Sequence, residues 1–379
     1  MLLTEQQEMM RDMARNFVRE RVVPHVDDWE RDEHFPMDVV REMGKLGFLG
    51  MLVPEELDGV GGDHVAYSLV LEEIAAGSGG LSTAISGHNS VGCLPILQYG
   101  TAYQQQTFLR PMARGELLGA FCLTEPHTGS DASNLKTRAV RRGNEYVLNG
   151  TKQFITSGST ADVALVLAVT DPSGGKRAIS AFLVPTKTPG YIVSRREKKM
   201  GQRISDTCQI LLEDVVVPVE NRLGEEGQGY RIALANLESG RIGIASQAIG
   251  LARAAFEIAL DYAQERESFG KRIIEHQAVA FRLAEMTARI ETARQMVHHT
   301  AVLRDAGRPC IKEASIAKMI ATDMGEAVCS DAIQTLGGNG YLQDYKVERI
   351  FRDVRGARIY EGTNDIQKLV ISRAMLDGR

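Results

Sequence analysis

Tyr146-Val147-Leu148-Asn149-Gly150-Thr151-Lys152-Gln153-Phe154-Ile155-Thr156 decides how the middle of this chain folds. Runs rich in β-branched and aromatic residues flank Asn149-Gly150, two residues that accept positive φ. This pattern predicts a β-hairpin with its turn at Asn149-Gly150. Similar short runs follow: Val163 to Val169, Ile179 to Val184, Tyr191 to Val193, Ile210 to Leu212 and Val215 to Val217. No helical stripe interrupts them, so residues 118–229 read as an antiparallel β-sandwich or barrel.

On either side the periodicity changes. Residues 1–117 read as an all-α domain. Thr4 and Gln7 form a T-x-x-Q capping box, and Met9, Met10, Met13 and Phe17 repeat behind it at helical spacing. Leu69, Val70 and Ile74 form a second stripe, and Pro24, Pro36, Pro54, Pro95 and Pro111 punctuate successive helices. Residues 230–379 return to helix, with Leu283, Met286, Ile290, Ala293 and Val297 stepping by three and four as a bundle core does. The expected architecture is a multidomain α+β chain: N-terminal helices, a central β domain and a C-terminal helical bundle.

Composition narrows the function. With 379 residues, net charge -5 and pI about 6.0, the chain has no basic excess for binding nucleic acid. Its longest clean apolar run, Val163 to Val169, is far shorter than the ~20 residues of a membrane span. Cys93, Cys122, Cys208, Cys310 and Cys329 are scattered without a C-x-x-C pair, which suits buried, reduced thiols. Acidic residues follow Met1-Leu2-Leu3-Thr4 directly, so no signal peptide is legible and a cytoplasmic location is expected.

Several chemistries lack their motif. Gly44-Lys45-Leu46-Gly47-Phe48-Leu49-Gly50 has neither the preceding strand nor the spacing of a dinucleotide fingerprint. There is no phosphate-binding G-x-x-x-x-G-K-[ST] and no G-x-S-x-G elbow. His298 and His299 are adjacent, not at metal-ligand spacing, so no metal is expected.

Three segments stand out. Cys122 to Asp131 (CLTEPHTGSD) offers hydroxyls and backbone N–H groups after a strand, although a Pro-Gly turn with an Asp cap explains it equally. Gln334 to Tyr341 (QTLGGNGY) admits either a bound anion or a tight helix–helix turn. In Ile359 to Gln367 (IYEGTNDIQ), Glu361 precedes a helix that Asn364 can cap, with Gln367 completing the box. Glu361 is either a solvated cap or a base in a dry cavity.

In their order along the chain, these segments resemble the acyl-CoA dehydrogenase family. The likeness rests on Leu123-Thr124-Glu125-Pro126 with Gly129-Ser130-Asp131, Leu148 to Lys152 with Phe154-Ile155-Thr156, Lys199 to Arg203, Arg266-Glu267-Ser268-Phe269-Gly270, Gln334 to Tyr341, and Tyr360-Glu361-Gly362-Thr363. The resemblance implies helices, a β domain and a four-helix bundle, in a homotetramer built as a dimer of dimers. It implies FAD lined by Phe121, Leu123, Thr124, Phe154 and Thr156, and met from a neighbouring subunit by Arg266, Phe269, Gln334 and Gly338. Thr363 and Asp365 would lie toward the adenine; Asp365 departs from the Gln or Glu common there. Ser130, Gly240, Arg241, Tyr360 and Gly362 would meet the acyl-CoA, and Glu361 would be the base. Electron transfer flavoprotein is the implied partner.

Some relatives carry the base immediately before a bundle arginine. Here that position is Gly240, in Leu237-Glu238-Ser239-Gly240-Arg241, and Glu238 is two residues out of register. Gly240 together with Arg241 to Ser246 resembles the short-chain and short-branched-chain members, which implies a short acyl group.

Overall fold

The computed structural model describes residues 2–376, apart from the side chains of Lys176 and Arg177. Helix α1 (Glu5–Phe17) starts at the Thr4–Gln7 capping box read from the sequence. Its stripe falls on Met10 and Ala14, whereas Met9 is 64% exposed. Asp63 caps α2 (His64–Gly77) and Ser78 caps α3 (Gly79–Gly87), each accepting a backbone N–H three residues on.

The β domain comprises β1 (Gly119–Cys122), β2 (Arg138–Arg142), β3 (Glu145–Thr156), β4 (Val163–Val169), β5 (Ile179–Pro185), β6 (Tyr191–Arg196), β7 (Thr207–Pro218) and β8 (Arg222–Leu223). They form one sheet ordered β6-β7-β3-β2-β4-β5-β8, with β1 beside β4. A single residue pair joins β2 to β4, so the sheet folds into two halves. The halves face each other across a shared core in which the Tyr146 and Phe182 rings lie 4.9 Å apart. This is the expected sandwich, but β1 and β2 pair with β4 in parallel. No hairpin joins β1 to β4: forty residues of chain separate Cys122 from Val163.

The expected hairpin turn is misplaced. β3 runs straight through Asn149-Gly150, and the chain reverses at Gly143-Asn144, where Gly143 has φ +63°. Asn149 instead marks an irregularity against β7, where its amide donates to Asp214 Oδ1 (3.0 Å) and its carbonyl accepts from Asp214 N (2.9 Å). Gly150 is required by contact: a Cβ there would lie 2.7 Å from Thr137 Cα. Ile210 to Leu212 and Val215 to Val217, read as two strands, belong to the single strand β7.

The C-terminal bundle comprises α4 (Leu237–Glu265), α5 (Gln277–Asp305), α6 (Ile311–Leu336), α7 (Val347–Ala357) and α8 (Asn364–Leu376). Leu283, Met286, Ile290, Ala293 and Val297 are all buried in it, as their spacing predicts. Helix α4 lies at the centre, packed on α2, α5, α6 and α7. Its stretch is apolar enough to cross a membrane, yet 78% of that window is buried inside the protein, so it is a core helix.

Candidate active site

The segment linking α7 to α8 carries Glu361. Two successive residues, Glu361 (φ +55°) and Gly362 (φ +81°), adopt left-handed backbone. For a glutamate this costs about 1–3 kcal/mol and persists only where surrounding contacts impose it. Those contacts are present. Gln367 Nε2 donates to the carbonyls of Glu361 (3.2 Å) and Gly362 (2.9 Å), and Lys318 Nζ donates to Gly362 O (2.9 Å).

The expected cap at Asn364 is corrected. Thr363 takes that role, its hydroxyl accepting from Ile366 N at 3.3 Å. Asn364 lies inside the first turn and buries its amide against α6. It donates to Thr322 Oγ1 (3.0 Å) and Asp323 Oδ1 (2.8 Å) and accepts from Lys318 Nζ (2.9 Å). Buried donors on α6 need that partner, so the cap falls one residue earlier.

The Glu361 carboxylate rests on the backbone of α4. A Cβ built on Gly240 would lie 3.0 Å from Glu361 Oε2 and 3.2 Å from its carboxyl carbon. The alternative position for a base and Glu361 therefore occupy one place in space, and only a residue without a side chain leaves room. Glu238 is engaged elsewhere, accepting from Arg304 at 2.7 Å.

Burial pushes the Glu361 carboxyl above its ordinary range, against the opposing pull of the Arg241 and Lys318 cations. Arg241 is buried and donates to Ser315 Oγ (3.2 Å), while its Nε has no hydrogen-bond partner among the described residues. Burial also lowers the Lys318 ammonium, to about 8, although Glu361 favours its charged form. Glu361 is half-buried, and a largely desolvated carboxylate with a raised proton affinity, flanked by two cations, suits a general base. The sequence reading omitted Lys318; its signal is a lysine within Ile316-Ala317-Lys318-Met319-Ile320.

Tyr360 turns its hydroxyl into the protein, where it meets Gln202, Gln247 and Thr83. Phe121, Leu123, Thr124 and Thr156 are half-buried at the ends of β1 and β3. Phe154 stands beside them at φ +58° with 64% of its surface exposed. A buried ion pair fixes this region: Lys152 Nζ reaches Glu125 Oε1 (2.8 Å) and Leu123 O (3.1 Å), while Glu125 accepts the backbone N–H of Lys136 (2.7 Å) and Thr137 (3.0 Å). Neither member was singled out from the sequence. Ser130 lies exposed in the loop this pair anchors.

Arg266, Phe269, Gln334 and Gly338 form a separate group. Arg266 ends α4, roughly 39 Å along the axis from Gly240 at ~1.5 Å per residue. Phe269 is 97% exposed, and Gln334 and Gly338 are exposed where α6 ends. Asp365 is also exposed and pairs with Lys368 at 3.4 Å.

The fold assembles one more arrangement the sequence did not reveal. His64 Nδ1 lies 2.6 Å from Asp305 Oδ1, and His64 Nε2 lies 3.0 Å from Ser239 Oγ. This is the contact order of a hydrolytic triad, but Ser239 is fully buried, so no substrate carbonyl reaches its hydroxyl. The trio ties the starts of α2 and α4 to the end of α5. Among the described residues no group of His, Cys, Asp and Glu could hold a metal. Two open clefts, of about 650 and 480 Å³, are lined by other residues and do not include Glu361.

N-terminal helices, a folded sheet and a helical bundle that lays a half-buried glutamate on a bundle glycine make up the fold and its candidate site. The chain matches the acyl-CoA dehydrogenase N-terminal domain over residues 4–116, the middle domain over 120–215 and the C-terminal domain over 227–376. It is 46% identical over 378 residues to an acyl-CoA dehydrogenase of Bacillus subtilis, covering 100% of both chains. It is 43% identical to a caffeyl-CoA reductase–Etf complex subunit of Acetobacterium woodii, covering 99% of this chain and 100% of that one. The solved butyryl-CoA dehydrogenase of Megasphaera elsdenii superimposes with TM-score 0.97 at 39% identity, covering 99% of each chain. The chain belongs to the acyl-CoA dehydrogenase family and is an oxidoreductase of that family.

Proposed function

We propose that this protein oxidises a short or short-branched acyl-CoA to its trans-2-enoyl-CoA, with Glu361 removing the α-proton. The observation that carries this reading is the Glu361 carboxylate held against Gly240, with its proton affinity raised by burial. Arg241 and Lys318 oppose that rise, so the group can still ionise to act as a base. The short acyl group is supported by the likeness to a butyryl-CoA dehydrogenase.

The residues present fit FAD. Phe154 holds an exposed ring in a strained backbone conformation beside Phe121, Leu123, Thr124 and Thr156, which suits a flat aromatic ligand. FAD, once bound, supplies the two-electron acceptor for the β-hydride. The chain's own part is to orient the thioester, exclude water and hold the α-proton on the Glu361 carboxylate. We assign Ser130 and Gly362 to the CoA chain and its thioester, and Thr363 and Asp365 to the adenine side, on the family resemblance of their segments.

Arg266 lies roughly 39 Å along α4 from Gly240, with Phe269 just beyond it and Gln334 and Gly338 at the end of α6, so we assign these four to the flavin of a neighbouring copy. This supports a homotetramer, a dimer of dimers, in which each copy completes its neighbour's cofactor site. Likeness to a subunit of an Etf complex supports electron transfer flavoprotein as the acceptor. Five unpaired, buried cysteines suit a reducing compartment such as the cytoplasm.

The test is anaerobic titration of the purified protein with a panel of acyl-CoAs. The flavin band near ~450 nm should bleach with short thioesters. Absence of bleaching with every saturated thioester from about C4 to C16 sinks the reading.

A further inference from the structure

We propose that a closed ring of four hydrogen-bonding side chains (Tyr360, Gln247, Thr83 and Gln202) positions Glu361 and couples it to the placement of all three domains. The inference rests on Glu361 being the base. Tyr360 donates its hydroxyl proton to Gln247 Oε1. The amide of Gln247 donates to Thr83 Oγ1 (2.5 Å), and Thr83 donates to Gln202 Oε1 (2.7 Å). The amide of Gln202 returns to the Tyr360 oxygen at 2.9 Å. Within the ring each member gives one hydrogen bond and takes one; the Thr83 hydroxyl also lies 3.1 Å from Gly79 O, the longer of its two contacts to acceptors.

No donor is left over. The second N–H of Gln247 reaches Gly79 O (2.6 Å), and that of Gln202 reaches Asp353 O (2.9 Å). Gln202 is further pinned by its backbone N–H, which donates to Asp353 Oδ1. Such a ring has one self-consistent arrangement, because turning either amide over breaks two bonds at once. Gln247 is fully buried and Gln202 is 6% exposed, so water does not readily replace a lost partner.

The members come from separate bodies. Thr83 lies on α3 of the N-terminal domain and Gln202 on the loop between β6 and β7. Gln247 lies on α4, two turns beyond the Gly240 that supports the carboxylate, and Tyr360 is the residue before Glu361. Lys318 and Gln367 restrain the left-handed segment after Glu361, and the ring restrains it before. The Tyr360 hydroxyl is thus committed within the protein, and it serves as a positioning group, not as a contact to substrate.

The experiment uses flavin-loaded enzyme with butyryl-CoA. Tyr360→Phe keeps the aromatic ring and removes two bonds of the hydrogen-bonded circuit. Flavin reduction and α-proton exchange into deuterated solvent should both slow by roughly 10- to 100-fold, the scale of a base displaced by up to about 1 Å. KM should stay at its parental value. Thr83→Val breaks the circuit from another domain and should also slow both steps. Thr83→Ser, which keeps the hydroxyl, should recover most of that loss.

A raised KM with unchanged kcat for Tyr360→Phe would make Tyr360 a substrate contact and overturn the proposal. So would parental rates in Thr83→Val, which also decides the matter if Tyr360→Phe fails to fold. Glu361→Gln separates the two readings: parental reduction in that variant removes Glu361 as base, whereas a dead Glu361→Gln beside a fast Tyr360→Phe removes only the ring.

Discussion

Gly240→Ala tests the central contact, because it should move activity and stability in opposite directions. The added Cβ would sit 3.0 Å from Glu361 Oε2, 3.2 Å from its Cδ and 3.4 Å from Oε1. The first two distances are closer than an ordinary contact by a few tenths of an ångström, so the carboxylate must retreat by that amount. If about 1 Å of misplacement costs on the order of 100-fold, this retreat should slow flavin reduction roughly 3- to 10-fold. Gly240 lies inside α4, where alanine is favoured over glycine by up to about 1 kcal/mol. The flexible glutamate yields more cheaply than backbone, so thermal unfolding should occur at the parental temperature or slightly above. Anaerobic stopped-flow bleaching with butyryl-CoA and a thermal melt of the same preparation give both quantities. An unchanged reduction rate would mean that the carboxylate does not rest on Gly240 during catalysis. A large drop in melting temperature would mean that the helix, and not the carboxylate, absorbs the strain.

Three other perturbations follow from the same geometry. Glu361→Gln should lower the reduction rate by roughly 10²- to 10⁴-fold, the usual contribution of a general base, while acyl-CoA binding persists. Because burial raises the Glu361 pKa, the stability it contributes is present in acid and lost as pH rises through the folded value. Glu361→Gln should therefore melt above the parent at neutral pH and converge with it in acid; a lower melting temperature at neutral pH would contradict this. Lys318→Met removes a cation that holds the Glu361 proton affinity down, so the acid limb of the rate profile should move to higher pH. The parental lysine itself loses its charge above about 8, so the two profiles should merge there. Glu125→Gln leaves the Lys152 ammonium buried without its counter-charge and should cost about 3–5 kcal/mol in urea unfolding, with flavin lost before the fold. A cost below about 1 kcal/mol would show that the pair is dispensable.

Periodicity and turn chemistry made the order of helices, strands and helices legible, because each is a local property of neighbouring residues. The capping box at Thr4 and the Leu283 to Val297 stripe formed where their patterns predict. Asn149-Gly150 shows where local signals stop. The pair satisfies a turn pattern, yet β2 and β7 grip β3 on both edges and keep it extended, and the turn falls at Gly143-Asn144. Asn364 failed as a cap for a related reason, since the polar demand of α6 outweighed the helix terminus.

Glu361 was likewise undecided between solvated cap and dry base on local grounds. Sequence alone determined that it sits on a turn before a helix, and that Gly240 leaves the alternative position empty. Only the tertiary structure decided that these two facts are one, because it lays the carboxylate on the glycine. It also decided which cations face Glu361, and that Tyr360 spends its hydroxyl on three domains at once. Helix and strand periods arise from contacts a few residues apart. Lys318, Gln202 and Thr83 reach Glu361 and its neighbours across 43 to 277 positions of chain, and no local pattern encodes a contact of that range.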